Sequence, residues 1–215
     1  MAHISPLREH RSLLRRGRQK RPRSITLIVC EGETEQVYFE AARIKYGLTT
    51  AEVILADNTV GPAPISVVEC AEGKCAEPGG YDQVFCVFDR DGHESFDRAR
   101  DRIRSLAGRK KKPLPIQEAI SVPCFEFWVL LHFEKTDAPS VKCAAVIQRL
   151  REQHMPGYAK ADAAIARKLI AQVGDALNNA AWVEGRAENN DYTPYTSVHH
   201  VLKHFAAVAA QGINP

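Results

Sequence analysis

Ser24-Ile25-Thr26-Leu27-Ile28-Val29-Cys30-Glu31-Gly32-Glu33-Thr34-Glu35 is the stretch on which the fold class turns. Residues 24–30 read as one apolar, β-branched run, the pattern of a strand covered on both faces. The run stops at an acid and a glycine, a tight turn. Thr34 or Glu33 is then placed to cap a helix over about residues 34–46, with Val37, Tyr38, Ala41 and Ile44 as its buried face and Gly47 as its stop.

The same grammar repeats outward. Residues 52–57 read as a second strand, and 64–76 as a helix after the Gly61-Pro62 break. Residues 82–88 are a third strand that runs into Asp89-Arg90-Asp91-Gly92. Residues 93–107 place Phe96, Ala99, Ile103 and Leu106 at helical spacing. Residues 115–121 make a fourth strand, and Cys124 to Phe133 an aromatic-rich helix. Strands alternating with helices predict an α/β fold, a mainly parallel sheet of about four strands flanked by helices. Beyond it, residues 139–153, about 160–183 and about 195–209 read as helices. The expected organisation is a basic arm over 1–23, an α/β core over 24–135 and a helical region over 136–215.

Net charge over the 215 residues is only +3, but the positive charge is clustered. The arm carries Arg8, Arg11, Arg15, Arg16, Arg18, Lys20, Arg21 and Arg23 against Glu9, and a second run is Arg109-Lys110-Lys111-Lys112. Such asymmetry points to a polyanionic partner, with Arg15, Arg16, Arg18, Lys20, Lys110 and Lys111 as candidate nucleic-acid contacts. The six cysteines form no C-x-x-C pair and no zinc spacing. They are expected to be free thiols in a reducing, cytoplasmic setting. No apolar stretch has the length of a membrane span, and the N-terminus lacks the apolar segment of a secretory signal.

Two strands end in acids: the first in Glu31, the third in Asp89 and Asp91. Ligands of open parallel sheets bind at the carboxyl ends of the strands. Hard cations such as magnesium or manganese choose carboxylate oxygens, and they neutralise charge developing on phosphate oxygens. Glu31 with Asp89 and Asp91 is therefore a sensible metal site, with Glu33 and Glu35 in reach of a second ion. The bland alternative is that these acids are helix caps or solvated loop residues.

Glu126 stands inside the apolar stretch Cys124-Phe125-Glu126-Phe127-Trp128, where an acid is costly unless paired or metal-bound. It is either a further acid of the site or a helix-N-terminal residue favouring the dipole. Phe125, Phe127, Trp128 and Phe133 read as core, and Cys124 as a buried structural thiol rather than a nucleophile. Lys160, in Pro156-Gly157-Tyr158-Ala159-Lys160, is a candidate phosphate contact, and Tyr158 or Tyr192 a candidate base-stacking ring; the competing reading is surface loops. His199, His200 and His204 are not spaced as a secure metal triad and read as one helix face.

In Leu27-Ile28-Val29-Cys30-Glu31-Gly32-Glu33-Thr34-Glu35 with Tyr38-Phe39, the chain resembles the RloB family of bacterial defence-associated proteins. Val87-Phe88-Asp89-Arg90-Asp91, Ser121 to Trp128 with Leu130-Leu131-His132-Phe133, and Pro156 to Lys160 match in order; Asn190-Asp191-Tyr192-Thr193-Pro194 matches only loosely. The resemblance implies a TOPRIM-like core and a magnesium-dependent nuclease. Glu31 would be its catalytic Glu, as general base or metal ligand, and Asp89 and Asp91 its metal ligands. Glu35 matches the Thr-Glu position of OLD-like sites. It also implies an ATPase partner of the RloA or AAA type and a role in anti-phage abortive infection.

Two other readings compete. Val87 to Gly92 also looks like the start of a haloacid-dehalogenase-type phosphatase, with Gly174-Asp175 echoing its late acidic motif. That leaves the Glu31 cluster unexplained. Alternatively, the chain binds nucleic acid or regulates an ATPase without cutting anything.

Overall fold

The computed structural model describes residues 24–56, 63–139, 142–186 and 194–212. The arm bearing Arg15, Arg16, Arg18 and Lys20, and the segment containing Tyr192, lie outside the described residues.

The core is a five-stranded sheet: β1 (Thr26–Cys30), β2 (Ala51–Leu55), β3 (Gln83–Asp89), β4 (Ile116–Val122) and β5 (Tyr195–Thr196), in spatial order β2-β1-β3-β4-β5. The first four run parallel, and β5 adds an antiparallel edge through Ser121↔Thr196 and Val122↔Tyr195. The helices are α1 (Glu33–Lys45), α2 (Pro64–Ala76), α3 (Phe96–Ala107), α4 (Phe125–Leu130), α5 (Cys143–Gln153), α6 (Ala163–Ala171), α7 (Val173–Arg186) and α8 (His199–Gly212).

β1 shows why the first strand reads as continuously apolar. Leu27 and Val29 pack with Val67, Val68, Ile103 and Leu106 of α2 and α3. Ile28 and Cys30 pack on the other face with Phe39, Trp128, Leu169, Val201 and Phe205. All five residues of the strand are buried. Alternating side chains of a central strand must each find an apolar layer, so no polar position is affordable in the middle. The C-terminal helices share the second of these clusters with α1 and α4.

Four local expectations are corrected. The buried face of α1 is Glu35, Tyr38, Phe39 and Ala42, not Val37, Tyr38, Ala41 and Ile44. Ile44 is 71% exposed, because the stripe is rotated by about one residue to bring Tyr38 edge-on to Phe125, Trp128 and His132. The cap of α1 is Gly32, with no side-chain cap bond, rather than Thr34 or Glu33. The helix expected over about 160–183 is two helices separated at Gln172, with Asp162 capping the first through Ala164 N–H and Ile165 N–H. The fifth strand was not expected; two residues are too short to show a periodicity.

The cysteine expectation also changes. Cys124 and Cys143 are joined in a disulfide, while Cys30, Cys70, Cys75 and Cys86 are free. The two partners lie 19 residues apart, so no local motif marks them; the fold sets their Cα atoms 5.5 Å apart by packing the start of α5 on the β4–α4 junction. Among the described residues no helix is long and apolar enough to cross a membrane.

The rotated stripe of α1 is testable by urea unfolding. Phe39→Ala, at a fully buried position, should cost about 3–5 kcal/mol. Ile44→Ala should stay within about 0.5 kcal/mol; equal losses would place the helix in the other rotation.

Candidate functional site

Parallel pairing sets the two acidic strand ends side by side. Cys30 lies opposite Val87 in the β1–β3 register, so Glu31 emerges level with the last residues of β3, which Asp89 closes. The ladder continues past the strands: Glu31 N–H donates to Val87 O (3.0 Å), Arg90 N–H to Ser121 O (3.0 Å) and Asp91 N–H to Pro123 O (3.0 Å). The Val122–Pro123 peptide is cis.

These backbone bonds aim the carboxylates. Asp89 N–H donates to Glu31 Oε2 at 3.0 Å, tying the two strand ends together through a side chain. His93, two residues past Asp91, sits 3.5 Å from Glu31 Oε1. Phe125 N–H, at the start of α4, donates to Asp89 Oδ2 at 2.8 Å. Asp89 Oδ1 is enclosed and has no hydrogen-bond partner. Asp91 stands exposed on the turn.

Glu35, one turn into α1, is 5% exposed and faces the same cluster. A Cβ on Gly32 would meet Glu35 Oε2 at 2.7 Å, closer than side chains tolerate. The glycine of Glu-Gly-Glu-Thr-Glu is thus what lets the Glu35 carboxylate lie against the turn.

Glu126 is 1% exposed, and its partners meet it at one oxygen. Lys160 Nζ lies 3.0 Å from its Oε1, and the Tyr158 hydroxyl donates to the same oxygen at 3.2 Å. Its Oε2 lies 3.1 Å from Cys143 Sγ.

Burial, and then the charge of neighbouring acids, raises the pKa of three of these carboxyl groups. Burial raises the pKa of Glu31; Asp89 N–H and His93 oppose this, and Asp91 adds to it. Burial and then the charge of Glu35 raise Asp89 well above the usual carboxylate range. Burial, with Glu126 and Glu31 adding charge, raises Glu35 to about 7 against its own backbone N–H and Lys160. Burial depresses Lys160, but Glu126, Asp89 and Glu35 outweigh it and its pKa is raised.

Glu31, Glu35, Asp89 and Glu126 therefore meet at one end of the sheet, with Asp91 at the rim and Lys160 joined through Glu126. Lys110 and Lys111 do not meet them. They lie on the exposed connection from α3 into the start of β4, at the opposite end of the parallel strands. His93 was missed, although the spacing Asp91-Gly92-His93 marks it as part of the same turn. The pairing of Lys160 with Glu126 has no sequence signal, since 34 residues and two helix junctions separate them.

The donor set fits a hard divalent cation: every candidate ligand is a carboxylate, and Asp89 Oδ1 is an enclosed oxygen without a partner. The residues whose ligand-type atoms already converge within 4.8 Å are others among the described residues: Cys124, Glu126 and Cys143, whose sulfurs are bonded to each other, and Glu184, His199 and His200. Gly174 and Asp175 open α7 rather than following a strand, which removes the support for a dehalogenase-type phosphatase.

An α/β sheet with acids on the carboxyl ends of two adjacent central strands defines the class. The family model described as RloB-like protein matches residues 26–205, and the chain belongs to that family. No curated protein and no solved structure matches it.

The raised pKa of Glu35 has a measurable sign. The folded state holds the proton more tightly than the unfolded chain, so this stabilisation is full below about pH 4.5 and is lost as pH rises through about 7. In chelator, urea stability should fall over that window by up to about 3 kcal/mol, and Glu35→Gln should flatten the fall. An unchanged profile in the variant would mean that Glu35 titrates normally.

Proposed function

We propose that this chain is a metal-dependent nuclease with a TOPRIM-like centre, hydrolysing phosphodiester bonds of DNA or RNA. The observation that carries the reading is the enclosed, unpartnered Asp89 Oδ1 beside Glu31 on the adjacent strand end, with Glu35 facing both from α1. Burial, with the charge of neighbouring acids, raises the pKa of Glu31, Glu35 and Asp89, and a bound cation would offset the cost of keeping such carboxylates charged.

Glu31 and Asp89 would hold magnesium or manganese, with Glu35 lining the site and Asp91 on the substrate side. The bound ion would neutralise charge on the phosphate oxygens and lower the pKa of water. Asp89 N–H and Phe125 N–H keep the Glu31 and Asp89 carboxylates in place without substrate. Glu35, buried beside these two acids, is the group placed to take or give a proton. Lys160 and Tyr158 hold Glu126, and Lys160 is exposed enough to meet a phosphate as well.

Membership of the RloB-like family supports the wider setting we propose, anti-phage defence alongside an ATPase partner of the RloA or AAA type. The exposed run Arg109-Lys110-Lys111-Lys112, far from the acids, suits a second contact with nucleic acid or with that partner.

The test is cleavage of labelled single- and double-stranded DNA and of RNA in magnesium or manganese, with and without the ATPase. Wild type should cut. Glu31→Gln and Asp89→Asn should each lose at least about 100-fold, since losing a ligand costs no less than losing its support, while nucleic-acid binding persists. Binding without cleavage by wild type under every condition would make the chain a binding module instead. Saturating manganese should also raise the Tm of wild type and leave that of Asp89→Asn unchanged.

A further inference from the structure

We infer that Glu184, His199 and His200 form a binding site for a zinc-class divalent cation that clamps α7 to the start of α8. The inference shares no residue with the carboxylate cluster and does not rest on the nuclease reading.

Neighbouring residues on a helix do not normally face the same way. Here His199 and His200 both turn to one carboxylate supplied by α7. His199 Nε2 lies 3.1 Å from Glu184 Oε2, and His200 Nε2 lies 2.8 Å from Glu184 Oε1. The rings sit 4.1 Å apart between centroids. The three ligand atoms fall within 4.8 Å of one another. Tetrahedral bonds of ~2.0–2.1 Å to zinc put neighbouring ligand atoms roughly 3.3 Å apart, so the observed nitrogen–oxygen distances need only small adjustment.

The donor set selects the ion. Two imidazoles and one carboxylate suit zinc and neighbouring late first-row metals, whereas magnesium demands oxygen ligands in an octahedron. The Tyr195 hydroxyl donates at 3.2 Å to Glu184 Oε1, the oxygen that also meets His200, and helps hold the carboxylate in place. His199 is sealed from solvent while His200 is 43% exposed, so the ion enters on the His200 side, where water completes the shell.

One feature weakens the site. Ligation through Nε2 puts the His199 proton on Nδ1, which is buried without an acceptor. Leaving such a donor unpaired costs about ten- to a hundredfold in affinity. Zinc should therefore bind in about the micromolar range, well short of a dedicated structural zinc site.

The location gives the ion a purpose. Glu184 is near the end of α7, and the histidines follow β5, which pairs with Ser121 and Val122 of β4. The ion would fasten two helices to the sheet edge that leads into Pro123 and the Asp89-binding turn.

The test uses the full chain, stripped with chelator and kept without reductant so that Cys124 and Cys143 stay bonded. Zinc alone is titrated by calorimetry in excess magnesium, and cobalt absorption reports the ligand type. Wild type should bind one zinc with a micromolar Kd and gain Tm. His200→Ala and Glu184→Gln should each weaken binding at least about tenfold and lose the Tm gain; both positions are partly exposed, and circular dichroism checks that the variants fold. No zinc binding by wild type, or variants that bind as wild type does, would overturn the site and leave a plain histidine–carboxylate hydrogen-bond pair.

Discussion

The rest of the molecule is arranged around one electrostatic constraint: Glu31, Glu35, Asp89 and Glu126 share one poorly hydrated end of the sheet. Carboxylates so placed are costly unless each is met by a donor, a cation or a proton. The fold supplies the donors from its own element ends. β3 gives Asp89 N–H to Glu31, and α4 gives Phe125 N–H to Asp89. Lys160 and Tyr158 come from the approach to α6 and meet Glu126. Where strands stop and helices start is thus the same question as how the acids are satisfied.

Apolar packing holds the helical C-terminal region on the α/β sheet and delivers one partner to the acids. Leu169 and Ile170 of α6 and Val201 and Phe205 of α8 join the cluster built on β1, α1 and α4. Docking α6 against α1 brings its preceding loop, with Lys160, over Glu126. Removing Lys160 would leave Glu126 with the Tyr158 hydroxyl, a weak answer to a buried charge.

The central sheet was legible because its signals are local. Four apolar runs ending in turns fix β1 to β4, and the acids after β1 and β3 read directly as one edge of a parallel sheet. What depends on tertiary packing was not legible. Ile44 looks as apolar as Ala42, and only the position of Trp128 and His132 decides which of them is buried. β5 exists because Thr196 meets Ser121, not because two residues prefer a strand. The disulfide between Cys124 and Cys143 and the convergence of Glu184 on His199 and His200 join segments whose separation in sequence carries no motif. Glu126 was legible as an anomaly, an acid among aromatics, but its partner Lys160 was visible only once α6 had docked.

The most direct test of the account is anomalous scattering from a crystal soaked in manganese. The account predicts a peak about 2.0–2.3 Å from oxygens of both Glu31 and Asp89, with Asp89 Oδ1 among the ligands. Ordered manganese found only elsewhere, with Glu31 still bound to Asp89 N–H and Asp89 Oδ1 still bare, would contradict it.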